Sequence, residues 1–112
     1  MIILMIISIS SLTIQAQQKG IITDTITIKG NCGQCKERIE EAAHIKGVKT
    51  AEWNKTTKML TVVFNTNKTT IDKITESISK VGHDSKNFTA SDKNYKKLPS
   101  CCAYRTGVCE HD

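Results

Sequence analysis

The stretch Lys29-Gly30-Asn31-Cys32-Gly33-Gln34-Cys35-Lys36 constrains this chain more than any other, because a β-like run ends in it and a helix-like run begins in it. Thr25, Thr27 and Lys29 alternate with Ile26 and Ile28, the period-two pattern of a half-buried strand. Gly30 interrupts the alternation, and from Cys35 onward the apolar positions fall at helical spacing. Two thiols at C-x-x-C spacing therefore sit at a strand-to-helix turn, where the first helical turn can bring both sulfurs together. The free N–H groups and positive dipole end of such a helix favour thiolate over thiol. Thiolate is both a soft-metal ligand and a sulfur nucleophile, so the motif alone leaves a metal site and a redox site open.

The order of elements around the motif narrows the fold. Residues 22–29 read as a first strand and 33–46 as a first helix, with Cys35, Ile39, Ala42, Ala43 and Ile45 forming a narrow apolar stripe and Gly47 its stop. Residues 48–53 follow as a second strand with Val48, Ala51 and Trp53 facing inward. After a turn at 54–57 comes a third strand over 58–65, with Leu60, Val62 and Phe64 on one face. Thr69-Thr70-Ile71-Asp72 resembles a capping box with Asp72 in place of the usual Glu. Ile71, Ile74, Ile78 and Val81 then keep helical spacing up to Gly82. Residues 83–89, polar except for Phe88, make a poor fourth strand suited to a sheet edge. This β-α-β-β-α-β order predicts an α+β fold, a ferredoxin-like sandwich with a four-stranded antiparallel sheet and two helices on one face.

Residues 1–14 are almost wholly apolar and the first charge is Lys19. A transmembrane helix needs about 20 apolar residues, so the run is short for a span and suits the apolar core of a secretory signal. Cleavage after Ala16 is expected, with a periplasmic or secreted product; an uncleaved anchor is the alternative. The chain then divides into a signal over 1–16, a domain over 17–90 and a cysteine-containing extension over 91–112. Net charge is +5, but the charges are scattered and alternate in sign. Four aromatic residues near the domain (Trp53, Phe64, Phe88 and Tyr95) form no ladder with the basic ones, which argues against nucleic-acid binding. Five cysteines in an exported chain ordinarily suggest disulfides, yet the number is odd and Cys101 and Cys102 are adjacent. At least one thiol must be free, paired between chains or bound to metal.

With Cys32 and Cys35 at the first strand-helix turn of this order, the chain resembles the heavy-metal-associated domain family over about residues 21–90. Ile45-Lys46-Gly47-Val48, Thr61-Val62-Val63-Phe64 and Lys80-Val81-Gly82-His83 carry the rest of the resemblance. The family includes copper chaperones, modules of copper-transporting ATPases and the periplasmic mercuric-ion-binding protein. The signal-like start makes the chain look most like that exported branch. The resemblance implies a non-enzymatic carrier whose partner is a membrane transporter or pump, monomeric or bridged into a dimer by metal. One departure is that Gly30-Asn31 leads straight into Cys32, so the Met that the family usually packs beneath the loop is missing.

Cys32 and Cys35 are the main candidate ligands. Two thiolates suit Cu(I) or Hg(II), which accept low coordination, whereas Zn(II) prefers four ligands. A thiol–disulfide oxidoreductase is the rival, although the Trp and Pro of the thioredoxin motif are absent; a structural disulfide in an interaction module is a third possibility. His83 is a candidate third ligand or supporting donor, since the resemblance sets its corner beside the loop. Cys101 and Cys102 are candidates through the reach of the tail. A fourth strand would carry the chain about 20 Å away, and residues 91–100 can span about 33 Å back. If their thiolates join, coordination rises and Zn(II) becomes possible. Closure of Cys101 or Cys102 with Cys109 is the alternative for the tail.

Overall fold

A computed structural model describes residues 20–106. The expected signal over 1–16, Cys109 and His111 lie outside the described residues. Strand β3 (Met59–Asn65) occupies the centre of the sheet, with β1 (Ile21–Thr27) and β2 (Val48–Trp53) paired antiparallel on either side. The alternation in β3 explains its central place, since Leu60, Val62 and Phe64 give it a wholly buried apolar face. The register sets Ile26 and Trp53 against Leu60 from opposite sides. Helices α1 (Gly33–Ala43) and α2 (Ile71–Lys80) bring Ile39, Ala43, Ile74 and Ile78 into the same cluster. Each large apolar side chain contributes about 1.5–3 kcal/mol on burial, so this cluster is the main stabilising element.

The boundaries differ from expectation in small, explicable ways. Helix α1 stops three residues before 46, where the His44 N–H donates to the Glu41 carbonyl (3.2 Å) and the chain turns toward β2. Helix α2 is capped by Thr70, whose hydroxyl accepts from the Lys73 N–H (3.2 Å), one residue later than a box built on Thr69 would have it. A short helix α3 (Asp92–Tyr95) and two 3-10 turns, Ser100–Cys102 and Tyr104–Thr106, follow in the extension beyond residue 90.

The four-stranded sheet is corrected to three strands among the described residues. Where a fourth strand was expected, a single bridge joins Ile28 to Ser85, and the Lys29 N–H donates to the Asp84 carbonyl (2.8 Å). Beyond it the backbone satisfies itself locally: the Ser85 N–H reaches the Phe88 carbonyl (2.8 Å) and the Phe88 N–H reaches Ser85 Oγ (3.1 Å). Ser, Asp and Asn offer such local bonds in competition with a ladder, and residues 83–89 are rich in them.

Trp53 occupies space directly beneath the Cys32 loop. It is 1% exposed, and its indole N–H donates to the Ile28 carbonyl (3.0 Å). A Cβ on Gly30 would lie 3.1 Å from the indole ring and 3.2 Å from Cys35 Cβ, so glycine is what lets loop and ring pack so closely. Trp53→Ala is expected to lower stability by about 3–5 kcal/mol in a denaturant melt, a large share of a small domain's total.

Candidate metal centre

Cys32 is the N-cap of α1, with extended backbone (φ −146°, ψ 175°) and no capping hydrogen bond from its side chain. Its thiol is thus free to point at the open end of the helix beside Cys35, one turn on. The two sulfurs are 3.4 Å apart. The tail supplies a third: Cys102, at the end of its 3-10 turn, places Sγ 3.1 Å from Cys32 Sγ. The sulfurs of Cys32, Cys35 and Cys102 all lie within 4.8 Å of one another, and all three residues are buried. These separations far exceed the roughly 2.05 Å of a disulfide bond, so the thiols are free.

Neighbouring groups hold the arrangement. The Cys35 thiol donates to Asn31 Oδ1 (3.3 Å), and Arg38 Nη1 donates to Cys102 Sγ (3.3 Å). Lys36, the other cation near the helix start, is instead engaged by Glu40 and by the Trp53 carbonyl. Cys101 is half-buried at the edge of the nest, its thiol donating to Gln34 Oε1 (3.2 Å), with Sγ 4.0 Å from Cys102 Sγ.

The three buried thiols differ in acidity. Burial works against ionising Cys32, but hydrogen bonds from the Cys102 thiol and from the N–H groups of Cys35 and Gln34 outweigh it and bring its pKa down to about 7. Burial pushes Cys35 up. It pushes Cys102 up too, helped by the neighbouring Cys35 and opposed by Arg38. The nest therefore holds one thiol that ionises near neutral pH and two that a metal would have to deprotonate.

A latch behind the sulfurs holds the tail in place. The Tyr104 hydroxyl donates to the Gly82 carbonyl (2.7 Å) and accepts from the Asp84 N–H (2.8 Å). Arg105 grips the Asp84 carboxylate with two hydrogen bonds, Nε to Oδ2 at 3.0 Å and Nη2 to Oδ1 at 2.8 Å, and stacks on Tyr95. Gly82 has φ +102°, and a Cβ there would lie 2.9 Å from both the Asn94 carbonyl oxygen and Leu98 Cγ, so the corner is shaped to receive the tail. Burial opposes ionisation of Asp84, yet the Arg105 guanidinium and the Ala90 N–H hold its carboxyl below the usual range.

His83 belongs to this packing. Its Nδ1 lies 2.8 Å from the Lys29 carbonyl oxygen, its ring stacks on Tyr104 at 5.4 Å, and it is fully buried. Burial lowers its pKa to about 4, keeping it neutral. It stands outside the three-sulfur group, as does Cys101. The residues that sequence reasoning passed over are Asn31, Asp84, Tyr104 and Arg105. A Tyr-Arg pair two and three residues after the second tail cysteine was the available signal.

The fold and the thiol nest define a class. The chain belongs to the heavy-metal-associated domain family, whose model matches residues 25–84. Among solved structures it is similar to the CopZ metallochaperone, at 26% identity and TM-score 0.55, covering 57% of this chain and 98% of that one. It is likewise similar to the copper form of a CopA variant from Bacillus subtilis (27% identity, TM-score 0.51, 58% of this chain and 88% of that one). Oxidized MerP from Ralstonia metallidurans CH34 matches at 25% identity and TM-score 0.50, with 57% and 94% covered. No curated protein sequence matches the chain. The tail that brings in Cys102 lies beyond the matched residues.

Proposed function

We propose that this chain is an exported carrier that captures or relays Cu(I) or Hg(II) by thiolate exchange, with Cys32 and Cys35 as ligands and Cys102 as a third. The observation that carries the proposal is the convergence of three buried sulfurs within 4.8 Å at a helix N-terminus. Sulfur-only, low-coordinate sites favour soft ions, and Zn(II) would still want a fourth ligand. The likeness to a metallochaperone and to a copper form of CopA supports the same class of cargo. Export rests on the apolar run at 1–14, and a membrane transporter or pump is the partner that such a carrier would serve. Binding displaces thiol protons and changes no oxidation state, so no catalytic step is needed.

Competitive titration of the reduced chain with Cu(I), Hg(II) and Zn(II) tests this. One Cu(I) or Hg(II) per chain, held far more tightly than Zn(II), is the expected result. Failure of both soft ions to bind, together with catalysed insulin reduction, would favour the thiol–disulfide alternative.

A further inference from the structure

The three inner sulfurs are closed off: Cys32 is 2% exposed, and Cys35 and Cys102 are 0% exposed. An incoming thiolate cannot reach a metal held among them without first displacing the tail. Cys101 is different. It is half-buried at the rim, held by Gln34 from the first turn of α1, and its sulfur is 4.0 Å from that of Cys102. Among the described residues it is the one cysteine beside the nest that is not buried.

We infer that Cys101 is the exchange port of this centre, the thiol that takes a soft metal ion from an external thiolate complex and hands it inward to Cys102 and the Cys32–Cys35 pair. The inference rests on the proposed metal site and concerns how the ion gets in and out. In the first step a metal–sulfur bond to Cys101 forms as one to the external thiolate breaks, and the Cys101 proton passes through water to the departing thiolate. In the second step the bonds to Cys101 and to the remaining external thiolate break as bonds to the inner sulfurs form. The protons that the inner thiols release pass to Cys101 and, through water, to that departing thiolate. Nothing is oxidised or reduced. Release runs the same steps backward.

The port predicts a separation of rate from affinity. The probe is Hg(II) presented as its glutathione complex to the reduced full chain, in a Cys109→Ser background so that the remaining thiol cannot substitute. Loading is followed by thiolate-to-mercury absorption in stopped flow, and affinity by glutathione competition at equilibrium. Cys101→Ser is expected to slow loading by at least about tenfold, a barrier change of roughly 1.4 kcal/mol, while affinity changes little. Gln34→Ala, which releases Cys101 from its position, should slow loading by less. Cys102→Ala should instead lower affinity without slowing loading. The inference is overturned if Cys101→Ser loads at the parent rate, or if it loses as much affinity as Cys102→Ala. Absence of Hg(II) binding in the parent chain would overturn the metal site itself, a distinct outcome.

Discussion

Cys32→Ala and Cys35→Ala are each expected to lower the affinity of the reduced chain for Hg(II) and Cu(I) by more than the roughly 10–100-fold typical of losing a partner behind a ligand. Each removes one of the two sulfurs that sit a single helical turn apart at the open end of α1. Cys102→Ala should cost less, because the pair that remains still offers two sulfurs one helical turn apart. Alanine is the better replacement. Cys35 is fully buried in the core cluster, and a serine hydroxyl there would add about 1–3 kcal/mol of desolvation to any loss of metal binding. Both cysteines lie at the start of α1. Their burial makes them part of the core as well. Equilibrium competition with glutathione, run beside a thermal melt of each variant, separates the two effects. Parent-like affinity in the Cys32→Ala, Cys35→Ala double variant would remove the metal site.

Arg105→Ala is expected to undock the tail. Asp84 is 10% exposed at its side chain and Arg105 27%, so the pair lies between a surface bridge worth almost nothing and a buried one whose breakage costs about 3–5 kcal/mol; about 2 kcal/mol is a fair expectation. Arg105 also donates to the Ala90 carbonyl (2.7 Å), so its loss leaves more than one acceptor unfilled. The direct readout is alkylation of Cys102, which should become much faster, with soft-metal affinity falling toward that of Cys102→Ala. Asp84→Asn should do nearly the same, and the double variant little more than either alone, because the two residues act as one unit.

The latch also has a pH dependence of definite sign. Asp84 has a lowered folded pKa, so its contribution is complete above the ordinary carboxylate value near 3.8 and is lost as pH falls through the lower folded value. The tail should therefore stay docked through neutral and mildly acidic solution. A Cys102 alkylation rate unchanged in Arg105→Ala would show that other contacts hold the tail.

Much of this protein was open to reading along the chain, for reasons of periodicity. Ile26 and Ile28, then Leu60, Val62 and Phe64, alternate because each strand has one buried face. Ile74 and Ile78 stand one helical turn apart for the same reason on α2. The Cys32–Cys35 spacing needs only local geometry to bring its sulfurs together. Residues 83–89 were legible only as a weak strand. Ser85 bonds with Phe88 within a turn, and Asp84 is committed to Arg105, twenty-one residues later.

What sequence alone determined is the strand-helix-strand frame and a thiol pair at its first turn, both products of short-range pattern. Which distant groups meet there depends on how the folded chain packs. Cys102 joins Cys32 across seventy positions, Trp53 rises under Gly30, and His83 packs between the Lys29 carbonyl and Tyr104. Such contacts leave no periodic trace, because they depend on where a turn and a tail come to rest against a finished core. That placement is set by the sum of the latch's hydrogen bonds and the burial of three sulfurs, neither of which has a local signature.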